Sequence, residues 1–309
     1  MVLTDVPSAD RVVVGFDGSG PALRALDHAA EEALRRNVAL EVVCGWPWGL
    51  HGPKRGAEPR EQTERERPGE AITPNEAQTL YRAGRAVTDA AVERVASRHS
   101  DLRTIPHLTT EPAARALLRA GRAAALTVVG TRGHGGFTGL LLGSVGLRVA
   151  AHCTRPLTVV RGETREPHGA VLVGIASEAD ADAVRFGFQE AHRRGASLKV
   201  LHAWQYPAVP GVLPSAELYW EGTDQQRRCE AAVPAFATAV LREEYPDVEV
   251  HTESVYEGAA RALVEASTRA DVVVLAAHRP RHSLGLQLGP VTHAVLHHAH
   301  CPVTLVPVA

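Results

Sequence analysis

The chain has 309 residues, enough for two domains of ordinary size. With 45% hydrophobic residues, 22% charged residues and a formal net charge of −2, it has the composition of a soluble globular protein and no general attraction for nucleic acid or anionic membranes. It has no apolar run long enough to span a bilayer and no signal-peptide start, and its four scattered cysteines (Cys44, Cys153, Cys229, Cys301) lack a CxxC, which reads as reduced thiols in a cytoplasmic protein.

In chain order, Val12–Phe16 is a β-branched apolar run and reads as a buried strand. Asp17-Gly18-Ser19 follows as a turn, and an Ala-rich helix is predicted over about 21–36. A second strand covers Leu40–Gly45 and ends beside Trp46. Residues 50–74 form the longest irregular stretch, with five basic and five acidic side chains between Lys54 and Glu70. That composition suits a solvated loop, or a lid over a ligand. Next come a helix over about 75–99, a short strand over about 102–108, a helix over about 111–122 and a strand over 125–130. A glycine-rich loop, a helix over about 142–152 and a strand over 157–161 complete the unit.

The unit is then written again. "RVVVGFDGSGPALRALDHAAEEALRRNVALEVVCGWPW" from residue 11 aligns with "AVLVGIASEADADAVRFGFQEAHRRGASLKVLHAWQYP" from residue 170, so that Trp46 meets Trp204 and "RRN" meets "RRG". The offset falls from 158–159 in the early elements to 146 in the later ones, so the first copy carries about a dozen extra residues after Trp46. The polar stretch "GETREPHG" at 162–169 separates the copies and gives expected domains of 1–164 and 165–309. Strands that alternate with helices and are apolar on both faces predict α/β architecture: two tandem doubly wound parallel sheets. Such sheets bind ligands beyond the carboxyl ends of their strands, where the strand order reverses.

The glycine loop follows the strand over 125–130, at the carboxyl edge of the sheet. Gly130 closes the strand, Gly133 follows, and Gly143-Ser144 begins the next helix, a G-2x-G-9x-G-S spacing. Glycine lets backbone approach a ligand closely and take φ > 0. A helix N-terminus presents unpaired N–H groups and the positive dipole end, which suits phosphate. Ser144 adds a hydroxyl. The loop is neither a Walker A sequence, since no G-K-[ST] follows, nor a nucleophile elbow. A merely flexible loop and, for Asp17, a turn or helix-cap role are the competing readings.

On these residues the sequence resembles the universal stress protein family, in its tandem two-domain form common in actinobacteria, over nearly the whole chain. The resemblance implies Rossmann-like domains of the adenine nucleotide alpha hydrolase-like kind, and a G-2x-G-9x-G-[ST] motif that binds ATP, with or without Mg²⁺. It implies nucleotide contacts at Asp17 beside adenine and ribose, at the Gly45 backbone, at Gly130, Gly133, Gly143 and Ser144, and at the Val145 amide. It further implies pairing of the two copies through their last strands, as an intramolecular pseudo-dimer, with homodimerisation of the chain left open. Nucleic acid and membranes are not expected partners.

The second copy departs from the motif. Asp17 aligns with Ala176, Gly130 with Ala276, Gly133 with Arg279 and Ser144 with Pro290, and only Gly289 is kept. Proline removes one N–H from the cradle, so a degenerate site is expected there. Arg132 and His134 could touch phosphate from the side. Residues 278–300 hold six histidines, of which His293 and His297 are four apart, but no acidic partner is near, and a polar helix without metal is the better reading. Three functions remain open: an ATP-binding stress or regulatory protein, a nucleotide-dependent enzyme such as a slow ATPase or phosphotransferase, and a scaffold with a vestigial site. No Lys finger, general base or carboxylate cluster speaks for fast phosphoryl transfer.

Overall fold

The computed structural model describes residues 11–45, 74–131, 133, 142–161, 166–205, 216–278 and 288–308, with side chains of the two longest helices described from 78 and 225 onward. The first half contains β1 (Arg11–Gly15), α1 (Gly20–Arg35), β2 (Ala39–Gly45), α2 (Pro74–Arg98), β3 (Thr104–Thr109), α3 (Ala113–Gly121), β4 (Leu126–Gly130), α4 (Ser144–His152) and β5 (Leu157–Val160). The second half contains β6 (Ala170–Ile175), α5 (Ala181–Arg194), β7 (Ser197–Trp204), α6 (Ala216–Glu244), β8 (Val250–Tyr256), α7 (Ala259–Ala266), β9 (Val272–Ala277), α8 (Pro290–His298) and β10 (Val303–Pro307).

Local sequence accounts for the element ends. Ser19 caps α1, its hydroxyl accepting from Ala22 N at 3.3 Å, and Pro21 sits in the first turn, where its missing N–H costs nothing. The two first helices stop on residues in the left-handed region, Asn37 at φ 52° and Gly195 at φ 60°. These are the aligned "RRN" and "RRG" ends.

The ten strands form one sheet in the order β3-β2-β1-β4-β5-β10-β9-β6-β7-β8. Within each half every described pairing is parallel, and the halves meet at β5 and β10, which run antiparallel. Val12, Val13 and Val14 are fully buried, as strands covered on both faces require. One face is packed by α1, α2, α5 and α6, and the other by α3, α4, α7 and α8. The strand order reverses between β1 and β4, and again between β6 and β9, giving each half one switch point.

At the seam, Thr158 faces Thr304 in the ladder, and their buried hydroxyls are 2.8 Å apart. Beneath the sheet, α1 and α5 exchange a ring of four buried charges. Arg36 bridges Glu32 and Glu190; Arg194 bridges Glu32 at 2.5 Å and Glu190 at 3.4 Å. Arg35 and Arg193 add outer bonds of 2.6 and 3.0 Å to Glu32 and Glu190. Each copy contributes the same Glu-Ala-X-Arg-Arg segment, Glu32–Arg36 and Glu190–Arg194. Burial disfavours the charged form of Glu32, but Arg194 and Arg36 outweigh it and hold the carboxyl well below the usual carboxylate range.

Candidate functional site

The carboxyl ends of β1, β2 and β4 converge with the start of α4. Asp17 follows β1, and its Oδ1 accepts from Ser19 N at 3.0 Å. Its Oδ2 lies only 2.2 Å from where a Cβ on Gly133 would stand, so any side chain at 133 would collide with this carboxylate. Burial, followed by the negative charge of Asp17, pushes the Cys44 thiol up to about 11, which places Asp17 beside the end of β2 as well. Gly143 caps α4 with ψ at 161°, and its N–H donates to the Thr131 carbonyl at 2.7 Å, tying the helix start to the end of β4. Ser144 and Val145 occupy the first turn of α4 and are exposed, Val145 at 38%. Their N–H groups belong to the turn that lacks intrahelical acceptors. The structure therefore brings together Asp17, Gly130, Gly133, Gly143, Ser144 and Val145, while Gly45 closes β2 alongside.

Two of the glycines are explained without a ligand. A Cβ on Gly130 would lie 2.7 Å from the Pro21 carbonyl oxygen, and one on Gly45 would lie 2.8 Å from Ala113 Cα. Close packing of β4 on the start of α1, and of β2 on α3, requires glycine there. Close approach of a ligand is therefore not what requires glycine at 130, where a side chain would point into the protein. Gly133 is different, because the group it makes room for is a charged side chain at the crevice.

The second half is built otherwise. Its strand-end position Ala176 and the next residue, Ser177, donate N–H groups to Asp180 Oδ2 at 2.6 and 3.2 Å. The other oxygen of Asp180 lies 2.5 Å from His278 Nε2, just beyond β9. Asp180 is 3% exposed, so a protein carboxylate ties the β6 end to the β9 end across the second switch point. Sequence reading missed this pair; the only signal was an acid four residues beyond a strand that lacks the terminal Asp. Gly289 caps α8 in open space, and Pro290 is its first residue.

Trp204 is buried, edge-on to Tyr256 with ring centroids 4.9 Å apart, and acts in packing. His293 and His297 stack at 4.2 Å, and the buried Nε2 of His297 has no hydrogen-bond partner. Among the described residues, no three or more His, Cys, Asp or Glu are grouped to hold a metal, and no helix is long and apolar enough to cross a membrane. None of the four cysteines is in a disulfide. Arg132, His134, His282, Arg279, Trp46 and the 50–73 stretch, including the lid reading, lie outside the described residues.

Two doubly wound units with a glycine-lined switch point define a class that comparison with known proteins makes specific. The universal stress protein family model matches residues 8–161 and again 168–307. A universal stress protein of Mycobacterium tuberculosis is 31% identical over 302 residues, covering 94% of this chain and 93% of its own. One from Mycolicibacterium smegmatis is 31% identical over 307 residues, covering 96% of each. In fold, the chain superposes on a universal stress protein from Archaeoglobus fulgidus with a TM-score of 0.65 at 14% identity, over 97% of this chain and 98% of that one. The chain belongs to the universal stress protein family.

Proposed function

We propose that this protein is a nucleotide-responsive regulatory protein whose first half holds ATP, with the second half serving as its built-in partner in an intramolecular pseudo-dimer. The observation that carries the reading is the Asp17 carboxylate lodged against side-chain-free Gly133, in the loop between the end of β4 and the exposed first turn of α4. Asp17 accepts from ribose hydroxyls or the adenine edge, with the Gly45 backbone beside the base. The Gly143–Val145 turn presents N–H groups and the Ser144 hydroxyl to phosphates. Gly130 contributes by letting β4 seat against α1. Mg²⁺, where used, travels with the triphosphate, and a resident protein cage for it is no part of the proposal. The second half, with Asp180 across its switch point and Pro290 in place of a donor, does not form an equivalent site.

The decisive variant is Ser144→Pro. It deletes one amide and one hydroxyl, and Pro290 in the second copy stands at the equivalent first helical position. The extended backbone of Gly143 is compatible with a following proline. Each lost hydrogen bond to a charged acceptor is worth about 1.5–3 kcal/mol, so ATP affinity is expected to fall at least about tenfold with the fold intact. Titration calorimetry with ATP is expected to give one tight site per chain in the parent protein. Two equal tight sites, or unchanged affinity in Ser144→Pro, would refute the reading.

A further inference from the structure

The chain carries its own control for what the outer face of α6 should look like. Helices α2 and α6 are equivalent at an offset of 146: His99 N and Tyr245 N both close their helices onto the residue four back, and both helices end five residues before their strand. In α2 the outward face is charged. Arg85 pairs with Asp89 at 3.2 Å, Glu93 is exposed, and Arg94, on the flank toward α1, makes a two-pronged contact with Asp27 of that helix at 2.8 and 2.7 Å. In α6 the positions of Arg85, Asp89, Ala90, Glu93 and Arg94 are Ala231, Ala235, Phe236, Ala239 and Val240. Every charge has been replaced, and the alanine has become phenylalanine. Phe236 is 68% exposed and Val240 72% exposed. With Cys229 and Ala232, both exposed, they form one apolar stripe at helical spacing. A repeat that stays charged and a copy that replaces four of those charges in mid-helix with alanine or valine identify a contact surface.

The ends of the stripe indicate what covers it. Arg228 lies at its N-terminal end and Glu243 at its C-terminal end; both are exposed, and neither has an ion-pair partner among the described residues. Their midpoint falls between Ala235 and Phe236. When two copies of α6 run antiparallel about that midpoint, Arg228 of each meets Glu243 of the other, and Ala232 meets Ala239. The small residues allow close helix approach, while Phe236 and Val240 supply the buried apolar area. Self-complementarity of this kind is what a two-fold interface demands. We propose that the protein forms a homodimer in which α6 packs antiparallel on α6 of a second copy, centred on Phe236. This surface is remote in sequence from Asp17 and from the 130–145 loop and does not depend on nucleotide binding.

Sedimentation equilibrium of the full chain tests it. The parent protein is expected to have twice the 33.0 kDa chain mass at micromolar concentration. Phe236→Glu is expected to weaken association by about 30-fold or more, as for a central interface residue, with the far-UV circular dichroism unchanged because the site is exposed in the folded monomer. Arg228→Glu is expected to weaken it, and adding Glu243→Arg to restore it. A parent protein that is monomeric at every concentration overturns the proposal. So does a Phe236→Glu variant that dimerises as tightly as the parent, or a charge-swapped double variant no tighter than Arg228→Glu.

Discussion

His28 lies one turn before Glu32 on α1, and its Nε2 is buried without a hydrogen-bond partner. Burial, with the nearby Arg194, Arg35 and Arg36 charges only partly offset by Glu32, lowers its pKa from 6.5 to about 4. The sign follows directly. Above pH 6.5 neither folded nor unfolded chains protonate this ring, so it has no effect there. Between 6.5 and about 4 the unfolded chain binds the proton and the folded chain does not, so folding stability falls with pH through that window, by at most about 3 kcal/mol. His28→Leu is expected to flatten that part of the profile, read as denaturation midpoints from pH 7 to 4. The second copy already has an apolar residue here, Phe186. Glu32 acts in the same sense at lower pH: its carboxyl is also held down, so its stabilisation is complete above the ordinary carboxylate range and is lost progressively as acid protonates the unfolded chain but not the folded one.

At the scale of elements, the glycines divide by what surrounds them. Gly130 is a packing residue, because its missing Cβ is where the Pro21 carbonyl lies, 2.7 Å away. A methyl group there pushes the start of α1 off β4, and because Asp17 and Ser19 lie on that connection, the candidate site shifts with it. Gly130→Ala is therefore expected to cost about 1–3 kcal/mol of stability. Gly289, aligned with Gly143, meets nothing within 4 Å, and Gly289→Ala is expected to stay within about 1 kcal/mol of the parent. Urea midpoints of the two variants measure the contrast. A loss of ATP binding in Gly130→Ala accordingly reports on packing first, which is why Ser144→Pro is the cleaner probe of phosphate contact.

The whole molecule is held by two devices that each use the same residues twice. The β5–β10 ladder merges two sheets into one and removes an exposed edge from each half. The Glu32–Arg36–Glu190–Arg194 ring lies beneath it and is neutral in itself, with every carboxylate shared between helices. Apolar contact resists sliding weakly, whereas a buried alternating ring has one register at low energy, and we assign it the role of fixing α1 against α5. Arg194→Met leaves the buried ring one positive charge short, with Glu32 and Glu190 sharing Arg36 and one outer arginine each, and is expected to destabilise the chain by about 3–5 kcal/mol. Replacing all four ring residues by apolar ones of similar volume is expected to recover most of that loss. Chemical denaturation of both variants checks this; equal losses would show the ring to be indispensable for stability itself.

How much of this was legible in sequence depends on the range of the interaction involved. Strand and helix order, the repeat and the strand-end position of Gly130 follow from hydrophobic period and turn chemistry, which act within a few residues, and the elements of both halves match them. That Asp17 shares a site with Gly133 and Ser144 was an implication of the family resemblance. The collision that makes Gly133 a glycine appears only when β1 and β4 lie side by side. Gly130 was legible as essential but not for its reason, since the Pro21 carbonyl that excludes a side chain is more than a hundred residues away. The "RR" helix ends were visible as an alignment landmark, yet a sequence gives no sign that Glu32 and Arg194, 162 positions apart, share a hydrogen bond. The same holds for the Asp180–His278 pair, which closes over 98 positions. By itself the sequence determined the elements, their repetition and the family. The tertiary structure alone decided which charges are buried together, which glycines are there for packing, and that the apolar face of α6 is left uncovered, because burial and pairing belong to surfaces brought together from distant parts of the chain.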